Sequence, residues 1–227
     1  MKLYDQVIPA RFISRPNRFV ANVMTDQGEA VCHVKNTGRC AELLIPNARV
    51  YLAAGGSAKR KTAWDLVAVE KGDRLINMDS QAPNRAAREA LPWIFPGLTF
   101  LRPETVFGDS RLDFYLEQGD KKTFVEVKGV TLEENGVALF PDAPTQRGIR
   151  HLRELEKCAA QGMDALLLLV IQMRGVKWFA PNRKTHPAFA EALTHACGAG
   201  VRALAYDCVV TPDSMTLNEA VSIHLAD

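Results

Sequence analysis

Residues Ala165–Ile171 read Ala-Leu-Leu-Leu-Leu-Val-Ile, an apolar run with no polar interruption. A strand with one face in water alternates apolar and polar residues, and this segment does not. The stretch Leu166–Met173 is therefore expected as a strand covered on both faces, a better explanation than a helix for so short a run, and one that requires a layered α/β domain around it. The run is far too short to cross a bilayer, which takes about 20 residues. The opening Met1-Lys-Leu-Tyr-Asp-Gln lacks the apolar stretch of about 7–15 residues that a signal peptide needs. No membrane role is expected.

Cysteines 32, 40, 158, 197 and 208 are odd in number and lack the close pairing of zinc ligands or redox couples. They are expected to be reduced thiols of a cytoplasmic protein.

Before Asn77 the pattern is of short strands: Val7–Ile13, Arg18–Met24, Glu29–Val34, Arg49–Leu52 and Trp64–Glu70. Turn signals separate them at Arg15-Pro16-Asn17, Asp26-Gln27-Gly28, Asn36-Thr37-Gly38, Pro46-Asn47 and Gly55-Gly56. Five such strands in 75 or so residues fit a small barrel. Beyond it, Ser80–Leu91 has helical spacing, with Ser80 as N-cap and Pro92 as the stop. Strand signals recur at Leu98–Leu101, Arg111–Leu116 and Thr123–Val130. Helices follow at Gln146–Gln161 and Pro187–Cys197, and strands near Val201–Tyr206 and Met215–Leu225. The chain is thus α/β (α+β) in class, a β-barrel over residues 1–80 followed by a mixed-sheet domain over 81–227.

The net charge of +2 announces no partner, but it is unevenly spread. Residues 1–82 carry 12 basic against 8 acidic side chains, and the remainder 16 against 18. A basic module beside a carboxylate-bearing one suits phosphate binding.

The segment from Arg111 to Lys128 reads as a hairpin turning at Gly119-Asp120, with glycine first. That register sets Asp113 opposite Glu126 and Phe114 opposite Val125. Leu112, Phe114, Val125 and Val127 would then share an apolar surface, and Arg111, Asp113, Glu126 and Lys128 the other. Opposed carboxylates lie about 5 Å apart at Cβ and repel unless a cation or proton sits between them. Magnesium, a hard ion that takes a few carboxylate oxygens and leaves positions for water and phosphate, would supply that cation. Lys128 would orient a water or share transition-state charge. Spacing alone leaves a second arrangement open, a solvent-facing hairpin in which Lys128 pairs with Glu126 and Arg111 with Asp113.

Several stretches together resemble the bacterial sugar fermentation stimulation protein family. They are Arg18-Phe-Val-Ala-Asn-Val, Asn36-Thr-Gly-Arg, Lys59-Arg-Lys-Thr, Ser110-Arg-Leu-Asp-Phe, Glu126-Val-Lys-Gly-Val-Thr-Leu and the run from Phe140 to Leu155. The resemblance implies an N-terminal OB-like barrel and a domain similar to the PD-(D/E)xK nucleases, in a family described as DNA-binding and linked to regulation of sugar metabolism. Asp113 and Glu126-Val127-Lys128 match the acid and E-x-K elements, although Leu112 stands where the nuclease pattern has proline. Glu104 matches the upstream acid and would either bind a second ion or complete the shell of the Mg²⁺ (or Mn²⁺) held by Asp113 and Glu126.

Arg147 and His151, four residues apart on the helix after the E-x-K strand, form a face that would approach the scissile phosphate, or else a cationic solvated surface. In the barrel, Arg39 and the run Lys59-Arg60-Lys61 near Trp64 are candidates for binding DNA, with Arg11, Arg15 and Arg18 extending the patch. Trp64 itself is expected in the core. Two functions follow as expectations: a metal-dependent DNA phosphodiesterase built on Asp113, Glu126 and Lys128, or a DNA-binding regulator that keeps the fold without cleavage. An enzyme acting on RNA or a small phosphorylated metabolite is a weaker third.

Overall fold

The computed structural model describes residues 1–36, 38–55 and 62–226. The first six strands are β1 (Val7–Asn17), β2 (Val20–Thr25), β3 (Gly28–Val34), β4 (Arg49–Ala54), β5 (Trp64–Lys71) and β6 (Arg74–Asn77). Their alternation puts Ala21 and Val23 of β2, Cys32 and Val34 of β3, and Val50 and Leu52 of β4 inside. Strands β3-β2-β1-β4-β5 pair antiparallel in that order, and a parallel pairing of β3 with β5, Cys32 against Trp64 and Val34 against Leu66, closes them into a barrel. Closure removes the free strand edges that an open five-strand sheet would leave. β6 extends β5 and carries the chain into the second domain.

That domain contains α1 (Ala82–Ile94), β7 (Phe100–Phe107), β8 (Ser110–Gln118), β9 (Lys121–Val130), β10 (Leu132–Glu134), β11 (Val137–Phe140), α2 (Gln146–Ala160), β12 (Asp164–Ile171), β13 (Trp178–Pro181), α3 (Pro187–Gly198), β14 (Arg202–Thr211) and β15 (Ser214–Val221). Its main sheet runs β15-β14-β12-β9-β8-β7, with β9, β12 and β14 parallel and the outer pairings antiparallel. β12, the apolar run, lies inside the sheet as its composition requires. Leu166, Leu168 and Val170 pack with Ala86, Ala87, Ala90 and Leu91 of α1, while Leu167, Leu169 and Ile171 pack with Ile149, Leu152 and Leu155 of α2. A small second sheet, β10-β11-β13, lies beside β9 and α3.

Two helix ends differ from expectation. α1 begins after Gln81 rather than Ser80 and continues through Pro92 to Ile94. Asp79 organises its start: its Oδ1 accepts from Gln81 N–H at 2.9 Å and its carbonyl from Ala82 N–H at 3.1 Å. Pro92 forgoes one backbone bond without ending the helix, because Phe95 N–H still reaches the Leu91 carbonyl at 2.9 Å. The chain's first residues lie on the second domain, where Leu3 N–H donates to the Asp213 carbonyl at 2.7 Å. Among the described residues no helix is long and apolar enough to cross a membrane, and all five cysteines are unpaired thiols.

Candidate functional site

The hairpin turns at Gly119-Asp120, with Gln118 against Lys121 and Phe114 against Val125, as the sequence predicts. The ladder then stops one pair short of the two acids. Asp113 turns its own carboxylate into the gap, where Oδ2 accepts from Val127 N–H at 2.7 Å in place of a strand carbonyl. Short acidic side chains compete with ladder bonds in this way. On the other side, the β7–β8 pairing also skips Asp113 and the opposed Glu104, whose φ is +50°.

This interruption reverses the facing of β8. Leu112 packs with the α2 layer and Phe114 with the α1 layer, so the expected single apolar surface on the hairpin does not form. Both faces are covered instead, and the acids sit within the layers.

Asp113 leans toward α1, where Asn84 Nδ2 donates to its Oδ1 at 2.7 Å. Glu126 points toward α2 and is 2% exposed. Its Oε1 accepts from both Lys128 and His151. Arg147 Nε donates to His151 Nε2 at 3.3 Å, and because arginine only donates, the ring proton must be on Nδ1, facing Glu126. Glu126 Oε2 is buried with no hydrogen-bond partner.

The two carboxyls differ in electrostatics. Burial, then the charge of Glu126, pushes the Asp113 pKa upward against the Val127 and Asn84 hydrogen bonds and the Lys128 charge. Burial pushes Glu126 up as well, but the hydrogen bond from His151 and the charge of Lys128 outweigh it, and its pKa is lowered. The site therefore sets a firmly ionised acid beside one whose ionisation it resists. An open, buried carboxylate oxygen next to a second carboxyl is a donor set that suits a hard divalent cation.

The other expected ligand does not join them. Glu104 is at the surface, its Oε2 3.3 Å from Arg111 Nη1. Among the described residues no three His, Cys, Asp or Glu side chains are arranged to hold a metal. Of the alternative pairings, Lys128 with Glu126 does form, whereas Arg111 takes Glu104 rather than Asp113. Asn84 escaped the sequence reading. The available signal was an amide at the head of the stripe Asn84, Ala87 and Leu91, where three- and four-residue spacing otherwise gives only apolar residues.

Residues 13–78 match the family model described as the SfsA N-terminal OB domain, and residues 81–214 match that of the Sugar fermentation stimulation protein RE domain. The chain belongs to the sugar fermentation stimulation protein family. Sugar fermentation stimulation protein homologs from Desulfitobacterium hafniense and Clostridium beijerinckii are 52% and 50% identical to it, over 99% and 98% of this chain and 99% of each of theirs. The solved structure titled "The structure of Pyrococcus Furiosus SfsA in complex with Ca2+" is similar with a TM-score of 0.87 and 30% identity, over 99% of each chain.

In this member of the sugar fermentation stimulation family, Asn84, Asp113, Glu126, Lys128, Arg147 and His151 all fall within the second matched stretch. The barrel's basic candidates separate. Arg39 is exposed. Arg15 is not available for a ligand: its guanidinium donates to the carbonyls of Arg18, Asn36, Gly38 and Arg39 at 2.7–3.0 Å. Arg11 donates to the Asn47 carbonyl at 3.0 Å. Lys59, Arg60 and Lys61 lie outside the described residues. Trp64 packs against the barrel core, as expected.

Proposed function

We propose that the protein binds DNA and hydrolyses a phosphodiester bond at the Asp113–Glu126–Lys128 centre with a divalent cation, Mg²⁺ or Mn²⁺. One observation carries this reading: Glu126 Oε2, buried and open, beside an acid whose ionisation Glu126 opposes. Leaving such a group without a partner costs about 1–3 kcal/mol, which a bound cation would offset. Asp113 and Glu126 would hold the ion. When bound, it would polarise the phosphate and lower the pKa of an attacking water. The relative described in complex with Ca²⁺ supports an oxygen-seeking ion in this family.

The protein groups then have distinct tasks. Asn84 and the Val127 amide hold both Asp113 oxygens in place. His151, its tautomer fixed by Arg147, holds Glu126 Oε1. Lys128, released from Glu126 as the cation takes up that charge, would donate to the phosphate or to the water. Arg147, exposed in the first turn of α2, meets the incoming backbone. The OB-domain match in the basic first half supports a nucleic-acid substrate.

The test is Mn²⁺-dependent cleavage of single-stranded, duplex and branched DNA by the full chain. Asp113→Asn is expected to lower the rate at least about a hundredfold, the range lost with one transition-state group. Absence of cleavage on every substrate with either ion would overturn the hydrolytic reading. A second reading, a DNA-binding regulator without cleavage, is favoured by Lys128 already neutralising Glu126 and by Glu104 lying apart. It is distinguished by binding that persists in EDTA and weakens steeply with salt.

A further inference from the structure

Phe19, on the barrel, has no part in the centre just described. Its ring is exposed, 51% by relative area, yet its backbone is pinned. Its N–H donates to Asn17 Oδ1 at 2.9 Å, and its carbonyl accepts from Val34 N–H at 2.8 Å. The neighbouring turns are tied by the Arg15 guanidinium, with Nη2 on the carbonyls of Arg18 and Asn36 and Nη1 on those of Gly38 and Arg39. One planar fork thus draws the Arg18-Phe19 turn and the turn ending at Arg39 into a single rigid surface. The Arg18 and Arg39 side chains are exposed, and neither has an ion-pair partner among the described residues.

Beside the ring is an open depression of about 590 Å³ lined by Val20, His33, Lys35, Thr62, Asp65 and Gln81. Its charged groups have close partners. Asp65 is buried and 3.0 Å from His33 Nδ1, and Lys35 Nζ is 2.8 Å from Asp79. Arg18 and Arg39 add two exposed cations on the turns beside Phe19. At the far side of the depression, Ser80 N–H donates to the Lys35 carbonyl at 2.9 Å. Ser80 also lines a second cavity, with Asn36, Gly129 and Gln172.

We propose that Phe19 is a stacking platform for an unpaired base of a single-stranded nucleic acid, with Arg18 and Arg39 on the flanking phosphates. An aromatic face accepts any base but only one whose own face is free, which a duplex does not offer away from its ends. A preset backbone lowers the ordering entropy lost on binding. The proposal rests on the nucleic-acid half of the proposed function and not on hydrolysis.

The test is fluorescence anisotropy of a labelled single-stranded oligonucleotide, and of its duplex, with the full chain in EDTA. Phe19→Ala and Phe19→Leu are expected to weaken strand binding about ten- to a hundredfold, the range of one lost base stack, and Phe19→Trp to preserve it. Duplex binding should change less than about twofold. Arg18→Gln with Arg39→Gln should flatten the salt dependence by about two phosphate contacts. Unchanged thermal midpoints would confirm that each variant folds. Strand binding by Phe19→Ala equal to the parent's, or an equal loss on the duplex, would overturn the platform while leaving nucleic-acid binding intact. A parent that binds neither form would remove the nucleic-acid reading itself. Absence of Mn²⁺-dependent cleavage alone would touch neither.

Discussion

Asp113 and Glu126 respond oppositely to pH. The Glu126 pKa is lowered on folding, so its stabilisation is present above the ordinary glutamate range and is lost as pH falls through the depressed value. The Asp113 pKa is raised from 3.8, so its contribution is favourable below that ordinary value and is lost as pH rises through the raised one. At neutral pH the fold therefore carries a carboxylate that it would rather protonate, a liability common in sites that need charge. Asp113→Asn is expected to stabilise the protein at pH 7 by about 1 kcal/mol, a rise of roughly 2–4 °C in thermal midpoint. The gain should shrink toward nothing in scans below about pH 3.8, where the native side chain is itself neutral. A variant no more stable than the parent at pH 7 would contradict the assigned direction. The proximity of these two acids was legible in the sequence because Gly119-Asp120 fixes the register. Their facing was not, because it depends on Asp113 taking the Val127 amide, a choice made by packing against Asn84.

Among the elements, β9 has to carry Glu126 and Lys128 between two helices, and Gly129 makes that possible. A Cβ there would lie 2.6 Å from Pro83 Cγ and would also strike the Gln172 side chain. Gly129→Ala is expected to cost about 1–3 kcal/mol in urea unfolding, the range for overpacking, because Gln172 is fixed by three hydrogen bonds and cannot yield. The same change pushes on Pro83 and so on Asn84, its neighbour, and should weaken divalent-ion binding measured by calorimetry. The long elements were legible because periodicity and turn residues are local: the five barrel strands, β12, α2 and α3 all lie within a few residues of their expected places. β6, β10, β11 and β13 span only three or four residues each. β10 and β11 form a hairpin through Asn135-Gly136, both at positive φ, a local turn signal that the sequence reading passed over. β13 had no such signal, because it is a strand by pairing in parallel with Val137–Phe140, some forty residues earlier.

The barrel and the second domain meet at a buried polar junction. Gln172 Nε2 donates to the Asn77 carbonyl and Oδ1 and to the Asp79 carbonyl, at 3.0–3.1 Å, and Asn77 N–H donates to the Gln172 carbonyl at 2.9 Å. Tyr4 adds a hydroxyl, donated to Asp79 Oδ2 at 3.0 Å. Polar groups this well matched fix one docking geometry but tolerate no missing partner. The two domains are therefore expected to unfold in one transition, with far-ultraviolet dichroism and tryptophan fluorescence coinciding. Gln172→Leu, which removes the three hydrogen bonds its amide donates across the junction, should lower stability by about 2–4 kcal/mol in urea.

The outer margin of the main sheet is β7, and it is an awkward one. Phe100 and Val106 are 45% and 70% exposed there, and a straight strand bearing them would invite a second copy to zip alongside. Between them stand Pro103, which has no N–H to offer, and Glu104, bent out of extended geometry and charged. The open margin is cut into two short lengths, neither long enough to template an added strand. The acid that stays away from the catalytic candidates thus keeps the molecule from self-aggregating along its sheet.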